Sequence, residues 1–257
     1  MKTSLIFLSL LIYTISLEPE SYNDESGLDI SKFIIADKTN QIILVIPDEY
    51  TQPPAQLYFY IKEEGNNWKL EKQTDAYIGR DGLGKEREGD GKTPVGIYQF
   101  NAYFGIADSP NDNLPYVKVN KSHYWVGDIN SDRYNQLVNI ETYTDFVRSD
   151  SEHLIEHPEY EYAMNIDYNK EGEKDKGSAI FLRCLKEQQK STGGGIVIEK
   201  EELKKIYQTL NKDCYIIIDT KKNMTKYYEK EPPSDSDSDC ITNINLYLIL
   251  IGILILL

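Results

Sequence analysis

The chain has 257 residues, 40% of them hydrophobic and 27% charged, an ordinary balance for a globular protein with a sizeable core. Its formal net charge is −14, and no cluster of Lys and Arg is present to neutralise phosphates, so nucleic acid is excluded as a partner. Twenty tyrosines and seven phenylalanines favour β-strands, whose half-buried surfaces suit aromatic side chains.

The first residues have the pattern of a secretory signal peptide. Lys2 gives a short positive start, residues 5–15 are apolar, and small residues end at Ser16. Residues 1–16 are therefore predicted to direct the chain into the secretory pathway and to be removed. Residues 17–32 are polar and are predicted to form a loose leader.

Short apolar or alternating runs begin at about residue 33 and predict strands. They lie at residues 41–46, 56–61, 95–100, 116–119, 162–168, 178–184, 195–198 and 214–218. Many short strands with one or two short helices are typical of a mainly β fold. We therefore expect one domain over residues 33–220 with a sandwich-like core.

Two segments are predicted to be helical. The clearer one has one apolar stripe at positions i, i+3, i+4 and i+7, formed by Leu203, Ile206, Tyr207 and Leu210. The weaker one runs from Arg148 to His157, where Pro158 would stop it.

The C-terminal region predicts a membrane attachment. Charge, Pro and Ser dominate residues 221–240, which are predicted to form a flexible acidic stalk. Residues 246–257 are an unbroken apolar run, shorter than the roughly 20 residues that span a bilayer. Small residues up to Cys240, a spacer and an apolar tail form the pattern of a GPI-anchor signal over residues 241–257. A short membrane tail is the alternative, and either would place the protein at the cell surface.

Secretion also bears on the cysteines and on glycosylation. In an oxidising compartment Cys184 and Cys214 are expected to pair if they lie on neighbouring strands. Asn120 and Asn223 begin acceptor sequences for N-glycosylation.

The histidines His123, His153 and His157 have no cysteine or carboxylate partner at metal-ligand spacing, so neither a metal nor another cofactor is expected.

A glycine-rich stretch over residues 82–94 contains Gly-Lys-Thr at residues 91–93, but Glu86 stands where a phosphate loop needs its first glycine. Residues 89–98 have instead the pattern GDxxTPxGxY. Further matching segments follow in the same order at residues 122–128, 134–135, 151–154, 166–169 and 176–182. Together, residues 41–218 resemble the catalytic domain of L,D-transpeptidases of the YkuD type.

The resemblance implies a two-step acyl transfer. A cysteine thiolate attacks a peptidoglycan stem peptide, releases the terminal D-amino acid and passes the acyl group to an amine. It also implies a histidine after the strand at residues 178–182 and a cysteine in a following turn. Arg183 stands at the histidine position and Gly195 at the cysteine position. Glycine cannot form an acyl-enzyme and arginine stays protonated, so we predict an inactive member of the family, a pseudoenzyme.

Three functions remain open. In the first, a surface protein binds a carboxylate-bearing ligand, such as a stem peptide, in the old active site. Candidate ligand-binding residues are Arg183, Ser191, Thr192, Gly193, Gly194, Gly195 and His123. The alternatives are a floppy glycine turn, an Arg183 side chain paired with a nearby glutamate, and a His123 that is packed or exposed away from the cleft.

In the second, an active transpeptidase or carboxypeptidase uses a relocated nucleophile, for which Cys184 is the candidate. In the third, a structural surface protein keeps the scaffold and binds nothing in the cleft. Scaffold resemblance does not separate the three, because function resides in the site.

Overall fold

The structure is a computed structural model that describes residues 24–229. The predicted signal peptide, the first part of the leader, residues 230–240 of the stalk with Cys240, and the C-terminal tail lie outside the described residues. Among residues 24–229, no helix has the length and apolar character needed to cross a membrane.

Residues 24–229 form twelve strands and two α-helices. The strands are β1 (Gln41–Pro47), β2 (Pro54–Lys62), β3 (Trp68–Tyr77), β4 (Gly96–Gly105), β5 (Tyr116–Lys118), β6 (His123–Trp125), β7 (Leu137–Asn139), β8 (Glu152–His153), β9 (Ala163–Ile166), β10 (Phe181–Cys184), β11 (Ile196–Ile198) and β12 (Tyr215–Ile218). The helices are α1 (Lys200–Thr209) and the single turn α2 (Lys221–Met224). The predicted mainly β fold with short helices is confirmed.

Eight of these strands form one closed sheet in the order β12-β1-β2-β3-β11-β10-β9-β4, and β4 pairs back with β12. β5 extends the sheet from the later residues of β4. All eight strands contribute side chains to one common core, among them Val45, Phe59, Leu182 and Ile216. Apolar side chains on alternate positions of each strand therefore face the same interior.

The outer face of β1 is also buried, because both ends of the described chain cover it. Ile30, Phe33 and Met224 pack with the outward residues of β1, such as Leu44. The Phe33 and Tyr228 rings meet edge to face with centroids 4.9 Å apart, and a backbone bridge joins the same two residues. The fold therefore extends past the predicted domain boundaries at residues 33 and 220.

Helix α1 confirms the clearer helix prediction. Leu203, Ile206 and Tyr207 are buried in the common core, and Leu210 is buried at the end of the helix. The Tyr207 hydroxyl donates to the carbonyl oxygen of Ala163 on β9 at 2.5 Å.

The weaker helix prediction is wrong. Residues 148–157 form two 3-10 turns, Arg148–Asp150 and Leu154–Glu156, with β8 between them. β8 pairs with β6, and this pairing uses backbone groups that a continuous helix would need.

Strands β7, β6 and β8 form a small second sheet in that order. Trp125 of β6 joins it to the closed sheet, because its ring packs 6.0 Å from Phe104 on β4 and 4.8 Å from Phe181 on β10. The Trp125 Nε1 donates to Asn135 Oδ1 at 3.0 Å, which satisfies the buried indole. This junction positions the small sheet beside β10.

Candidate functional site

A cleft of about 350 Å³ lies beside the junction of the two sheets. Its wall includes β10 and the residues before it, the glycine turn before β11, residues of the loop 85–89, and residues of the small sheet such as Trp125 and Glu152. Arg183 and Gly195, which stand at the histidine and cysteine positions of the resemblance, both line this cleft.

The glycine turn before β11 is held by hydrogen bonds from neighbouring segments. The Thr192 N–H donates to Ile78 O at 2.9 Å, and Thr192 O accepts from the Arg80 N–H at 2.9 Å. The Thr93 hydroxyl donates to Gly194 O at 2.7 Å. The turn is therefore fixed at both ends and is not floppy.

Hydrogen bonds also form within the turn itself. The Thr192 hydroxyl donates to Gly195 O at 2.6 Å and accepts from the Gly194 N–H at 3.0 Å. The Gly194 N–H is thus already bonded within the turn, so an anion-binding nest of backbone N–H groups would have to use those of Gly193 and Gly195.

Position 195 has no room for a side chain. A Cβ there would lie 2.7 Å from the carbonyl oxygen of Phe181 on the neighbouring strand. Gly193 is different, because a Cβ at that position would meet nothing within 4 Å. A cysteine at position 195 would therefore require β10 and β11 to move apart.

Arg183 is held in the cleft wall by neutral partners. Its Nη1 donates to Cys184 O at 3.0 Å and to Gln189 Oε1 at 3.4 Å, and its guanidinium lies 5.9 Å from the Tyr160 ring centre. Its charge acts on nearby Glu152, but neither this nor another described carboxylate forms an ion pair with it. Among residues 24–229, its Nε and Nη2 have no hydrogen-bond partner.

Glu152 of β8 lies in the same wall. Its Oε2 accepts a hydrogen bond from the Tyr160 hydroxyl. Burial raises the pKa of Glu152 above its ordinary value of 4.5, and this effect exceeds the lowering by the Tyr160 hydrogen bond and by the charges of His157 and Arg183. Glu152 therefore retains a proton at a higher pH than an exposed glutamate does.

Lys85 also lines the cleft, although no motif in the sequence predicts a role for it. Its side chain is 1% exposed, and its Nζ donates to Asp90 Oδ1 at 2.9 Å and to Arg87 O at 3.2 Å. Burial raises the pKa of Asp90, but hydrogen bonds from backbone N–H groups and from Lys85 lower it further, well below its ordinary range. The Lys85 charge is thus neutralised within the protein.

Cys184 faces the common core and does not line the cleft. It is 3% exposed, its Sγ lies 3.5 Å from Tyr162 O, and burial raises the pKa of its thiol to about 11. Both Cys184 and Cys214 are free thiols, and β9 and β4 lie between β10 and β12 in the sheet. The condition on which a disulfide was expected, that the two cysteines lie on neighbouring strands, is therefore not met.

The other predicted residues lie outside the cleft. His123 accepts a hydrogen bond from the Asn120 N–H at 3.1 Å, and neither His123 nor Ser191 lines the cleft wall. Asn120 is exposed, whereas Asn223 is half-buried and its Nδ2 donates to Asp219 Oδ1 at 3.2 Å. Residues 24–229 contain no group of three or more His, Cys, Asp or Glu side chains that could hold a metal ion.

Comparison with known proteins gives limited similarity. No protein-family model matches the chain, and no curated protein matches it. Similar solved structures include two crystal structures of the helical cell shape determining protein Pgp2 from Campylobacter jejuni, one of them a point mutant. Each is 18% identical with a TM-score of 0.38, and the match covers 70% of this chain and 48% of Pgp2. The chain thus spans about half the length of that protein.

Proposed function

We propose that the chain is a non-catalytic relative of the L,D-transpeptidases that binds a carboxylate-bearing ligand, such as a peptidoglycan stem peptide, in the cleft. The observation that carries this proposal is that Arg183 and Gly195 line one cleft in which Arg183 has no ion-pair partner among the described residues. An arginine held by neutral groups beside a cavity is suited to bind a carboxylate.

The same cleft lacks the thiol and the histidine that the resemblance implies for acyl transfer. Its lining residues include neither a cysteine nor a histidine. The Thr192 hydroxyl is bonded within the turn, and Cys184 is buried in the core with a raised thiol pKa. These observations disfavour a relocated nucleophile.

Isothermal titration calorimetry with a stem tetrapeptide that ends in D-alanine tests the proposal. Replacing the terminal carboxylate by an amide should weaken binding by about 10- to 150-fold, because a hydrogen bond to a charged group contributes about 1.5–3 kcal/mol. Arg183→Gln should cause a similar loss for the free acid and remove the difference between the two peptides.

Arg133→Gln is the matched control. Arg133 also donates to a glutamine, Gln136 Oε1 at 3.3 Å, and lies 5.6 Å from a tyrosine ring centre, that of Tyr143, but outside the cleft. Its substitution should leave the heats unchanged. Equal heats for wild type and Arg183→Gln, or no heat with either peptide, would contradict the proposal, and the latter would favour a structural protein without a ligand.

The proposal includes a location at the cell surface, which rests on the predicted signal peptide and C-terminal anchor signal. Treatment of intact cells with a phosphatidylinositol-specific phospholipase C should release the protein. A protein that stays on the membrane both after this treatment and after extraction with alkaline carbonate would favour a membrane tail. Secretion of the whole chain into the medium would contradict both forms of attachment.

A further inference from the structure

Both ring nitrogens of His153 on β8 lie against groups that accept hydrogen bonds. The Nδ1 atom is 2.9 Å from Glu156 Oε1, and the Nε2 atom is 2.9 Å from the backbone oxygen of Lys121. An ionised carboxylate and a backbone carbonyl accept hydrogen bonds but donate none. A neutral imidazole donates through one nitrogen alone and satisfies one of the two contacts, whereas an imidazolium satisfies both.

The Tyr124 ring also favours a positive charge on His153. The two rings stack with centroids 4.3 Å apart and planes inclined by 5°. The same two residues are register partners between β6 and β8. A cation over the face of an aromatic ring is attracted by that face. Two hydrogen bonds and one ring contact therefore agree on the same protonation state.

The elements packed around the His153 ring carry charges of both signs. Besides Glu156, their charged or titratable side chains are Lys121, His123, Arg148, Asp150 and Glu152. Arg148 opposes a second positive charge, and its guanidinium lies 5.7 Å from the Tyr124 ring centre. The direct contact with Glu156 outweighs this repulsion, because charge interactions weaken with distance and exposed charges are screened by salt.

The position of His153 connects it to the wall of the cleft. The preceding residue, Glu152, lines the cleft and is the register partner of Trp125 on β6, which lines it as well. The contact with the Lys121 oxygen joins β8 to the segment before β6, and the contact with Glu156 joins β8 to the turn that follows it. Both contacts therefore support the part of the small sheet that faces the cleft.

We propose that protonated His153 is a pH-dependent contact that holds the small sheet together, so that this part of the cleft wall loosens as pH rises. The stability that depends on the imidazolium is present below the ordinary histidine value of about 6.5 and is lost above it. Histidine is the side chain whose charge ordinarily changes in this range. The proposal concerns the sheet and does not depend on the proposed ligand.

Hydrogen exchange of the full chain at pH 5.5 and pH 8.0 tests the proposal. The reporter is the Val126 N–H, which donates to Gln136 O at 2.9 Å across the small sheet. At pH 5.5 this amide should exchange about fivefold faster in His153→Gln than in the wild type, the upper end of the effect of a partly exposed ion pair. At pH 8.0 the two rates should agree within about twofold, because the wild-type ring is then neutral.

Two further variants separate the charge of the ring from its shape. Glu156→Gln keeps an oxygen acceptor at an exposed position but removes the negative charge, so it should fold and should repeat the effect of His153→Gln. His123→Gln is the matched control on β6. The His123 Nδ1 accepts from the Asn120 N–H at 3.1 Å, and burial lowers the pKa of His123, so the neutral ring is the form that fits there. This control should not speed exchange at pH 5.5.

Three results would overturn the proposal. An equal acceleration by His153→Gln at both pH values would mean that the ring contributes by its packing alone. Unchanged exchange at both pH values would mean that the ring does not hold the small sheet. Unchanged exchange in Glu156→Gln at pH 5.5 would remove the carboxylate from the contact.

Discussion

Gly193 and Gly195 lie in the same turn, but different atoms surround them. A Cβ at Gly195 would press on Phe181 O, whereas a Cβ at Gly193 would project into open space. Gly195→Ala should therefore destabilise the protein by about 1–3 kcal/mol through overpacking, and Gly193→Ala should change the free energy of unfolding by less than about 1 kcal/mol.

Urea unfolding of the two alanine variants measures this difference. Equal stability of both would contradict the close contact at position 195. The expected result also means that a cysteine at position 195 would strain the turn.

Glu152 should make stability depend on pH. Its pKa is raised in the folded state by burial, so the stability it contributes is complete below 4.5 and is lost as pH rises through the raised value. Glu152→Gln resembles the protonated form and should gain stability relative to the wild type over that range, at no more than about 1.4 kcal/mol per pH unit. Urea unfolding at pH 4.5 and 7.5 tests this.

The exposed Glu171→Gln substitution is the control for Glu152 and should shift stability equally at both pH values. A Glu152→Gln variant whose stability relative to the wild type falls as pH rises would mean that Glu152 is stabilised in its charged form, contrary to the burial effect.

The sequence predicts some residues of the site better than others. Arg183 and Gly195 could be predicted as site residues, because each is located by the order of the matched segments along the chain. The role of Lys85 cannot be predicted in this way, because a lysine in a glycine-rich loop is usually exposed to solvent. Lys85 is buried because the loop brings Asp90 into contact with it. Glu152 reaches the cleft through β8, a segment predicted to be helical.

Among the elements, α1 was predictable because its apolar stripe repeats at helical spacing over two turns. β3 was not predicted, since its ten residues are rich in Lys, Glu, Gln and Asp and few are buried. Pairing with β2 along almost its whole length forms this strand, and such long-range pairing leaves little trace in a local pattern.

The short C-terminal helix α2 contributes to stability through Met224, which is 0% exposed in the cluster on the outer face of β1. Met224→Ala should lower the free energy of unfolding by about 2–5 kcal/mol, the usual range for a buried methionine. Lys222→Ala, at an exposed position of the same helix, should have little effect. Equal, small effects in urea unfolding would mean that this segment belongs to a flexible stalk.

For the molecule as a whole, the predicted passage through the secretory pathway implies glycosylation at one acceptor. Asn120 is exposed, whereas the Asn223 amide is half-buried and bonded to buried Asp219. After secretion from a eukaryotic host, Asn120→Gln should remove a glycan and Asn223→Gln should not. A mobility shift on peptide-N-glycosidase treatment reports this, and a glycan on Asn223 alone would contradict the prediction.

The proposed function is that the cleft at the junction of the closed sheet and the small sheet binds a ligand without a nucleophile. The most direct measurement is incubation of the purified protein with a disaccharide-tetrapeptide, followed by separation of bound ligand and mass spectrometry of both components. We predict that the ligand is retained by the protein and recovered intact, with no released D-alanine and no covalent adduct. Release of D-alanine, or an acyl adduct on any residue, would contradict the account.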